Sequence, residues 1–95
     1  MYARILTFRS SADKRSDVEA VADQVFAMMK TLRGFISVHF VISADETEYG
    51  SLSLWESKED AEAAGDALRP GMSENLMPLA AEPPKVYVYE VYKPG

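Results

Sequence analysis

Apolar and polar residues alternate along the segment that ends at Trp55, and directly after this residue their spacing becomes helical. Leu52 and Leu54 are expected on one side of the segment, because successive side chains of a strand point to opposite faces. Ser51, Ser53 and Trp55 are then expected on the other side. The pattern predicts a strand that leads directly into a helix.

Two segments carry the three- and four-residue spacing of apolar positions that is typical of amphipathic helices. The first opens at Ser16 with a capping-box pattern and continues to Leu32. The second opens after Ser57, whose hydroxyl can accept a hydrogen bond from a free backbone amide of the first turn. It should end near Leu68, because the sequence 69–71, Arg-Pro-Gly, disfavours a helical backbone.

Four segments rich in β-branched and aromatic residues predict strands, at residues 2–9, 35–42, 49–55 and 85–92. Gly34 precedes the second strand and is expected to have a left-handed backbone conformation. The resulting order is β-α-β-β-α-β. We therefore predict an α+β fold, a ferredoxin-like protomer in which two helices cover one face of a four-stranded antiparallel sheet.

The two helices can cover only one face of this sheet, although both faces are largely apolar. One face of the predicted second strand carries Phe35, Ser37, His39 and Val41. The uncovered apolar face needs a partner, and a second copy of the chain supplies it most simply. We therefore expect a homodimer that forms through the sheet face.

Composition excludes several classes of protein. The chain has 95 residues, of which 47% are hydrophobic, and is expected to form a single domain over residues 1–95. Its net charge is −5 and its basic residues are scattered, so a nucleic-acid partner is not expected. No signal peptide or apolar stretch of about 20 residues is visible, so we expect a cytoplasmic protein without a membrane partner.

The pattern resembles the dimeric α/β-barrel superfamily and, within it, the antibiotic biosynthesis monooxygenase-like domains. The resemblance covers roughly residues 2–92. It is carried by the sequence 32–35, Leu-Arg-Gly-Phe, at the exit of the first helix, and by 54–61, Leu-Trp-Glu-Ser-Lys-Glu-Asp-Ala, at the entry to the second. The closing strand of alternating valine and tyrosine also fits the family.

The resemblance implies a dimer whose two sheets enclose a barrel, with a pocket between sheet and helices in each subunit. Relatives include cofactor-free oxygenases of polycyclic phenols or quinols, haem-degrading enzymes and isomerases. Our first hypothesis is a monooxygenase that needs no cofactor and acts on an aromatic small molecule of the phenol or quinol type. The alternative is a non-catalytic dimeric module that binds a small molecule or has an accessory role. A third interpretation is that the dimer is the whole function.

Three residues are candidates for catalysis. His39 is the only histidine, the side chain type that changes charge near neutral pH, and is a candidate base for a phenolic proton. Tyr89 could orient a phenol or quinone through its hydroxyl, and Arg4 could stabilise a developing oxyanion. Each residue also has a structural alternative. His39 and Tyr89 would suit a dimer interface, and Arg4 could be an ordinary solvent-exposed arginine on an edge strand.

Four further residues are candidates for substrate binding, namely Trp55, Tyr87, Ser53 and Phe8. Trp55 could form an aromatic wall against a flat ligand, or it could pack the second helix onto the sheet. Tyr87 could orient the ligand through its hydroxyl, or it could belong to the interface. No metal site is expected, because the chain has no cysteine and no second histidine.

Overall fold

The computed structural model describes residues 1–94 and contains four strands and two α-helices in the predicted order. The elements are β1 Tyr2–Arg9, α1 Arg15–Met29, β2 Phe35–Ile42, β3 Glu48–Trp55, α2 Lys58–Gly71 and β4 Lys85–Glu90, with a short 3-10 helix at Ala12–Lys14 and a π-helical segment at Met72–Leu76. The sheet has the strand order β2-β3-β1-β4 and all its pairs are antiparallel. The predicted ferredoxin-like α+β fold is confirmed.

The first helix differs from its prediction at both ends. It begins at Arg15 after the 3-10 helix, and the residue that caps it is Lys14, which makes no side-chain capping bond, so the capping box predicted at Ser16 is wrong. The helix ends at Met29, three residues before Leu32. The amide of Leu32 bonds to the carbonyl of Met29, an i to i−3 bond that tightens the last turn and terminates the α-helix.

The second helix begins as predicted and ends later. The hydroxyl of Ser57 accepts a hydrogen bond from the backbone amide of Asp60 at 3.1 Å, which confirms the predicted cap. The helix passes its predicted end at Leu68, includes Pro70 and continues into the π-helical segment. Leu68 and Leu76 are both buried, so packing against the sheet keeps the chain helical beyond the local preference of Pro70.

A β-bulge between Phe35 and Ser37 changes the alternation predicted for β2. Phe35 was expected to share a face with Ser37 and His39. It instead lies on the helix-covered face, where its ring meets the indole of Trp55 edge-on at 5.5 Å between centroids. The extra residue of the bulge places Val38 beside Phe35 on that face, because Val38 is paired with Ser53.

The other strand boundaries move by one or two residues. β3 begins at Glu48 rather than Tyr49, and β4 ends at Glu90 rather than Tyr92. The amide of Val91 still donates to the carbonyl of Met1 at 3.0 Å. The positive φ predicted for Gly34 is confirmed at 80°.

Buried apolar residues form two clusters on the helix-covered face of the sheet. One cluster lies beside the start of α1 and contains Leu6, Phe8, Val18, Tyr49 and Leu76. The other lies beside its end and contains Met29, Trp55, Ala61, Ala64 and Leu68. The core is thus divided along the sheet. Within residues 1–94, no helix is both long and apolar enough to cross a membrane.

Candidate ligand-binding cavity

A cavity of about 210 Å³ lies between the sheet and the two helices and is lined by residues of both core clusters. Strands β1, β2 and β3 form its floor, and α1, α2 and the π-helical segment form its roof. The walls are mainly apolar, and the lining residues are Arg4, Leu6, Phe8, Arg15, Val18, Glu19, Val21, Ala22, Val25, Met29, Phe40, Val41, Ile42, Tyr49, Gly50, Ser51, Leu68, Met72 and Leu76.

The two ends of the cavity differ in character. Arg4 and Phe8 are four residues apart on β1, which separates them by about 13 Å along the strand. Near Phe8 the rings of Phe8 and Tyr49 are stacked with 5.6 Å between centroids. The rim at this end carries the exposed ion pair of Arg15 with Glu19, at 3.3 Å. Arg4 lines the cavity toward the opposite end.

Arg4 is a buried cation, with only 5% of the residue exposed. Among residues 1–94, no carboxylate forms an ion pair with its guanidinium and no side-chain hydrogen bond reaches it. Desolvation by burial lowers the pKa of Arg4, and repulsion from Arg69 lowers it further. Gly65 of α2 lies above the guanidinium, since a Cβ at this position would be 3.4 Å from Nε.

Ser53 and Trp55 lie on the same sheet face as Arg4 but behind the cavity wall. Both are fully buried. The indole Nε1 of Trp55 donates to Oγ of Ser53 at 2.9 Å, and this hydroxyl donates to the backbone carbonyl of Arg4 at 3.2 Å. The first bond lies within β3, and the second connects β3 to β1, the strand that carries Arg4.

His39, Tyr87 and Tyr89 lie on the opposite face of the sheet, which no helix covers. His39 is paired with Leu52, and the two tyrosines are paired with Ile5 and Ala3 across β1 and β4. The rings of Tyr87 and Tyr89 are stacked at 6.0 Å between centroids, and both residues are about half exposed, at 48% and 53%. We call this uncovered side the open face.

The structure therefore divides the seven candidate residues between the two faces of the sheet. Arg4 and Phe8 line the cavity, Ser53 and Trp55 support it, and the other three lie on the open face. Within one protomer, a ligand that contacts Arg4 inside the cavity is separated from His39 by the sheet itself. The roles predicted for these residues stay predictions.

Sequence reasoning did not identify most of the cavity lining. Ser51 is a buried polar residue of the floor, and Met72 forms part of the roof from the π-helical segment. The helical spacing of Val18, Val21 and Val25 predicted a buried face, but it could not show that this face borders a space. The residues 1–94 hold no group of three or more histidine, cysteine, aspartate or glutamate side chains arranged to bind a metal ion.

Comparison with solved structures shows that this fold is shared over nearly the whole chain. Rv0793 from Mycobacterium tuberculosis is 20% identical with a TM-score of 0.81, and the match covers 98% of this chain and 96% of that one. The monooxygenase ActVA-Orf6 of Streptomyces coelicolor, solved in complex with nanaomycin D, is 22% identical with a TM-score of 0.75, covering 99% and 92%. SnoaB, a cofactor-independent oxygenase from Streptomyces nogalater, is 14% identical with a TM-score of 0.80, covering 98% and 94%.

The sequence itself was compared with curated proteins and with models of protein families. No curated protein matches the chain. The family model described as antibiotic biosynthesis monooxygenase matches residues 1–67, which include β1, α1, β2, β3 and the first turns of α2. The chain belongs to the antibiotic biosynthesis monooxygenase family.

Proposed function

We propose that this protein is a cofactor-independent monooxygenase that binds an aromatic small molecule of the phenol or quinol type between its sheet and its helices. The observation that carries the proposal is an apolar cavity whose lining includes a buried cation, Arg4. Membership of the monooxygenase family supports it, as does the likeness to SnoaB, which is described as a cofactor-independent oxygenase.

The chemistry follows from the charge of Arg4. A phenol that bound with its hydroxyl toward the guanidinium would lose its proton more readily, because the positive charge stabilises the phenolate in a site of low dielectric. The hydroxyl of Ser51 could donate a hydrogen bond to the same oxygen. The electron-rich phenolate can then react with oxygen directly. The proton passes to water, since His39 lies on the other side of the sheet.

The reaction balances without an external reductant. In 1-naphthol, the carbon para to the hydroxyl loses its hydrogen and the hydroxyl loses its proton. One atom of oxygen becomes the new carbonyl of a naphthoquinone, and the other leaves as water with the two hydrogens. The substrate supplies all the electrons, so the step requires only binding, phenolate stabilisation and access for oxygen.

A second candidate is a non-catalytic module that binds the same class of ligand. The position of His39 favours it, because the only histidine of the chain does not line the cavity. Under this alternative Arg4 binds the ligand, and no group in the cavity serves as a base.

The same proposal includes a homodimer that forms through the open face. Members of the family are typically dimeric and bind small molecules. The open face carries Leu52, Leu54, Tyr87 and Tyr89, and exposed apolar surfaces of this kind usually mark interfaces. His39 would lie within this interface.

The dimer can be tested by placing a charge on the open face. Tyr89→Glu should produce a monomer in sedimentation equilibrium, because a carboxylate is costly to bury in an apolar interface. Met28→Glu is the matched control, since Met28 is 42% exposed and lies on α1 away from the open face. A Tyr89→Glu protein that stays dimeric would exclude this face as the interface.

Catalysis can be tested by measuring oxygen uptake by the metal-free protein with anthrones, naphthols and hydroquinones. Wild type should exceed the buffer rate with at least one compound. In Arg4→Met the rate of oxygen uptake at subsaturating substrate should fall at least tenfold. Arg9→Met should keep the wild-type rate, because Arg9 is an exposed arginine of the same strand. Uptake equal to buffer with every compound would reject the reaction and leave the binding module.

His39→Ala and Tyr89→Phe separate the two roles proposed for the open face. If these residues belong to the interface, a variant that is still dimeric should keep its oxygen uptake. A dimeric His39→Ala protein without activity would instead identify His39 as the base. That result would contradict the placement of the reaction in the cavity of a single protomer.

A further inference from the structure

The guanidinium of Arg4 lacks a partner that its burial would ordinarily require. Burying an unpaired charge is unfavourable, so buried arginines are usually paired with a carboxylate. Within residues 1–94 the described ion pairs all involve other cations, namely Arg15, Arg33 and Arg69. The charge of Arg4 is therefore available for a group that the chain itself does not supply.

The nitrogens of Arg4 nevertheless stay accessible from two sides. Among the described residues, every fully buried side-chain nitrogen or oxygen has a hydrogen-bond partner. The guanidinium nitrogens of Arg4 have no such partner, so they are not fully buried and keep some contact with open space. Arg4 and Met72 border the cavity and also a groove between α2 and β4. A ligand in either space would therefore lie beside Arg4.

The cavity suits an anion better than the groove does. Glu62 and Asp66 lie along the groove, and Asp66 already binds Arg69 at 2.8 Å. Inside the cavity the only carboxylate among the lining residues is Glu19, which is at the far rim and paired with Arg15. An anionic group beside Arg4 within the cavity therefore meets one free cation and no nearby carboxylate.

The volume of the cavity limits the size of the ligand. A cavity of about 150 Å³ holds benzene, and sites for drug-sized ligands begin at about 300 Å³. At about 210 Å³ this cavity fits one or two fused rings better than three or four. Its walls beside Arg4 include Leu6, Met29, Leu68 and Met72, which offer apolar contacts to a ring system.

We infer that the ligand is an aromatic acid of one or two rings, whose carboxylate forms a bidentate pair with Arg4 while its rings fill the apolar part of the cavity. The guanidinium fork matches a carboxylate in geometry, and such pairs are stronger than neutral hydrogen bonds. The inference rests on the proposed function only in its use of the cavity. It names the class of ligand and does not depend on the reaction. A substrate that fits both proposals is an ortho-hydroxy acid such as 1-hydroxy-2-naphthoate, whose adjacent hydroxyl and carboxylate both face Arg4.

The test compares binding of acids and a neutral analogue by isothermal titration calorimetry. The probes are benzoate, 2-naphthoate, anthracene-2-carboxylate and the neutral 2-naphthamide. Wild type should bind 2-naphthoate at least tenfold more tightly than 2-naphthamide and more tightly than the three-ring acid. Arg4→Met should lose the preference for the acid, and Arg9→Met should keep it. Arg4→Lys should keep part of it, since the charge remains without the fork.

A second variant tests the location of the ligand without altering Arg4, so the result does not depend on whether Arg4→Met folds. Ala22→Phe places a ring into the cavity from α1 and should abolish binding of 2-naphthoate while Arg4 is intact. Equal affinity of Arg4→Met and wild type for 2-naphthoate would overturn the inference. So would binding by Ala22→Phe that matches wild type, since the ligand would then lie elsewhere.

The binding and oxygen experiments fail independently. Binding of 2-naphthoate that depends on Arg4, with no oxygen uptake from any phenol or hydroxynaphthoic acid, would retain the aromatic-acid ligand and reject the monooxygenase. Oxygen uptake from neutral phenols that depends on Arg4, with no preference for acids, would reject the aromatic acid and retain the monooxygenase.

Discussion

Ser53→Ala should destabilise the protein because it removes the hydrogen-bond partner of a buried indole. Trp55 is fully buried, and its Nε1 donates to Oγ of Ser53 at 2.9 Å. The substitution removes that oxygen and also the bond from Ser53 to the carbonyl of Arg4. The new methyl group fits the space of the hydroxymethyl group, so the main effect is an unpaired N–H in the core.

The expected loss can be worked from this geometry. Leaving a buried donor without a partner costs about 1–3 kcal/mol. For a domain of this size, each kcal/mol lowers the Tm by about 4–8 °C, so a central value of about 2 kcal/mol corresponds to about 8–16 °C. Ser51→Ala is the matched control, since Ser51 is also buried on β3 and faces the same side, but its hydroxyl borders the cavity. It should change stability by less than about 0.5 kcal/mol.

Urea unfolding followed by tryptophan fluorescence measures this difference, because Trp55 is the only tryptophan of the chain. The protomer concentration must be the same for all variants, since association raises apparent stability. A Ser53→Ala protein whose unfolding free energy lies within about 0.5 kcal/mol of Ser51→Ala would refute the importance of the bond between Trp55 and Ser53.

Three further changes test local features of the fold. Gly34→Ala should lower the free energy of unfolding by about 1–2 kcal/mol or more, because φ is 80° and the new Cβ would overlap the side chain of Asp60. An unchanged midpoint of urea unfolding would contradict this backbone geometry. Ser57→Ala should cost about 0.5–2 kcal/mol and speed hydrogen exchange of the Asp60 amide, and unaltered exchange would show that the cap is dispensable. Hydrogen bonds from Ser43 and Thr47 lower the pKa of Asp45 to about 2, so the stability that this carboxylate contributes is present above its ordinary value of 3.8 and is lost as the pH falls toward 2. Asp45→Asn should therefore unfold with a weaker dependence on pH over this interval in acid titrations followed by circular dichroism, and an identical dependence would contradict the low pKa.

The fold could be predicted because local patterns and packing agree over most of the chain. The alternation around Trp55 correctly assigned Leu52 and Leu54 to one face and the two serines to the other. Local rules failed where tertiary packing overrode them, as at Pro70, which lies inside α2. The bulge at Phe35 also escaped prediction, since one extra residue in a strand leaves no clear mark on composition.

The site was harder to predict than the fold. Alternation told which strand residues share a face, but not which face the helices cover, and that choice separates Arg4 from His39. The burial of Arg4 could not be foreseen, because an arginine among apolar strand residues is equally compatible with an exposed position. The cavity depends on a gap between two apolar clusters, which is a property of the packed helices and not of any segment alone.

The most direct test of the account is where an aromatic ligand binds. Intermolecular NOEs between 2-naphthoate and the methyl groups of the protein distinguish the two faces of the sheet. We predict NOEs from the naphthalene protons to Leu6, Met29 and Met72, which line the cavity. NOEs to Leu52 and Leu54 on the open face would contradict the account and would locate the ligand in the barrel between two sheets instead.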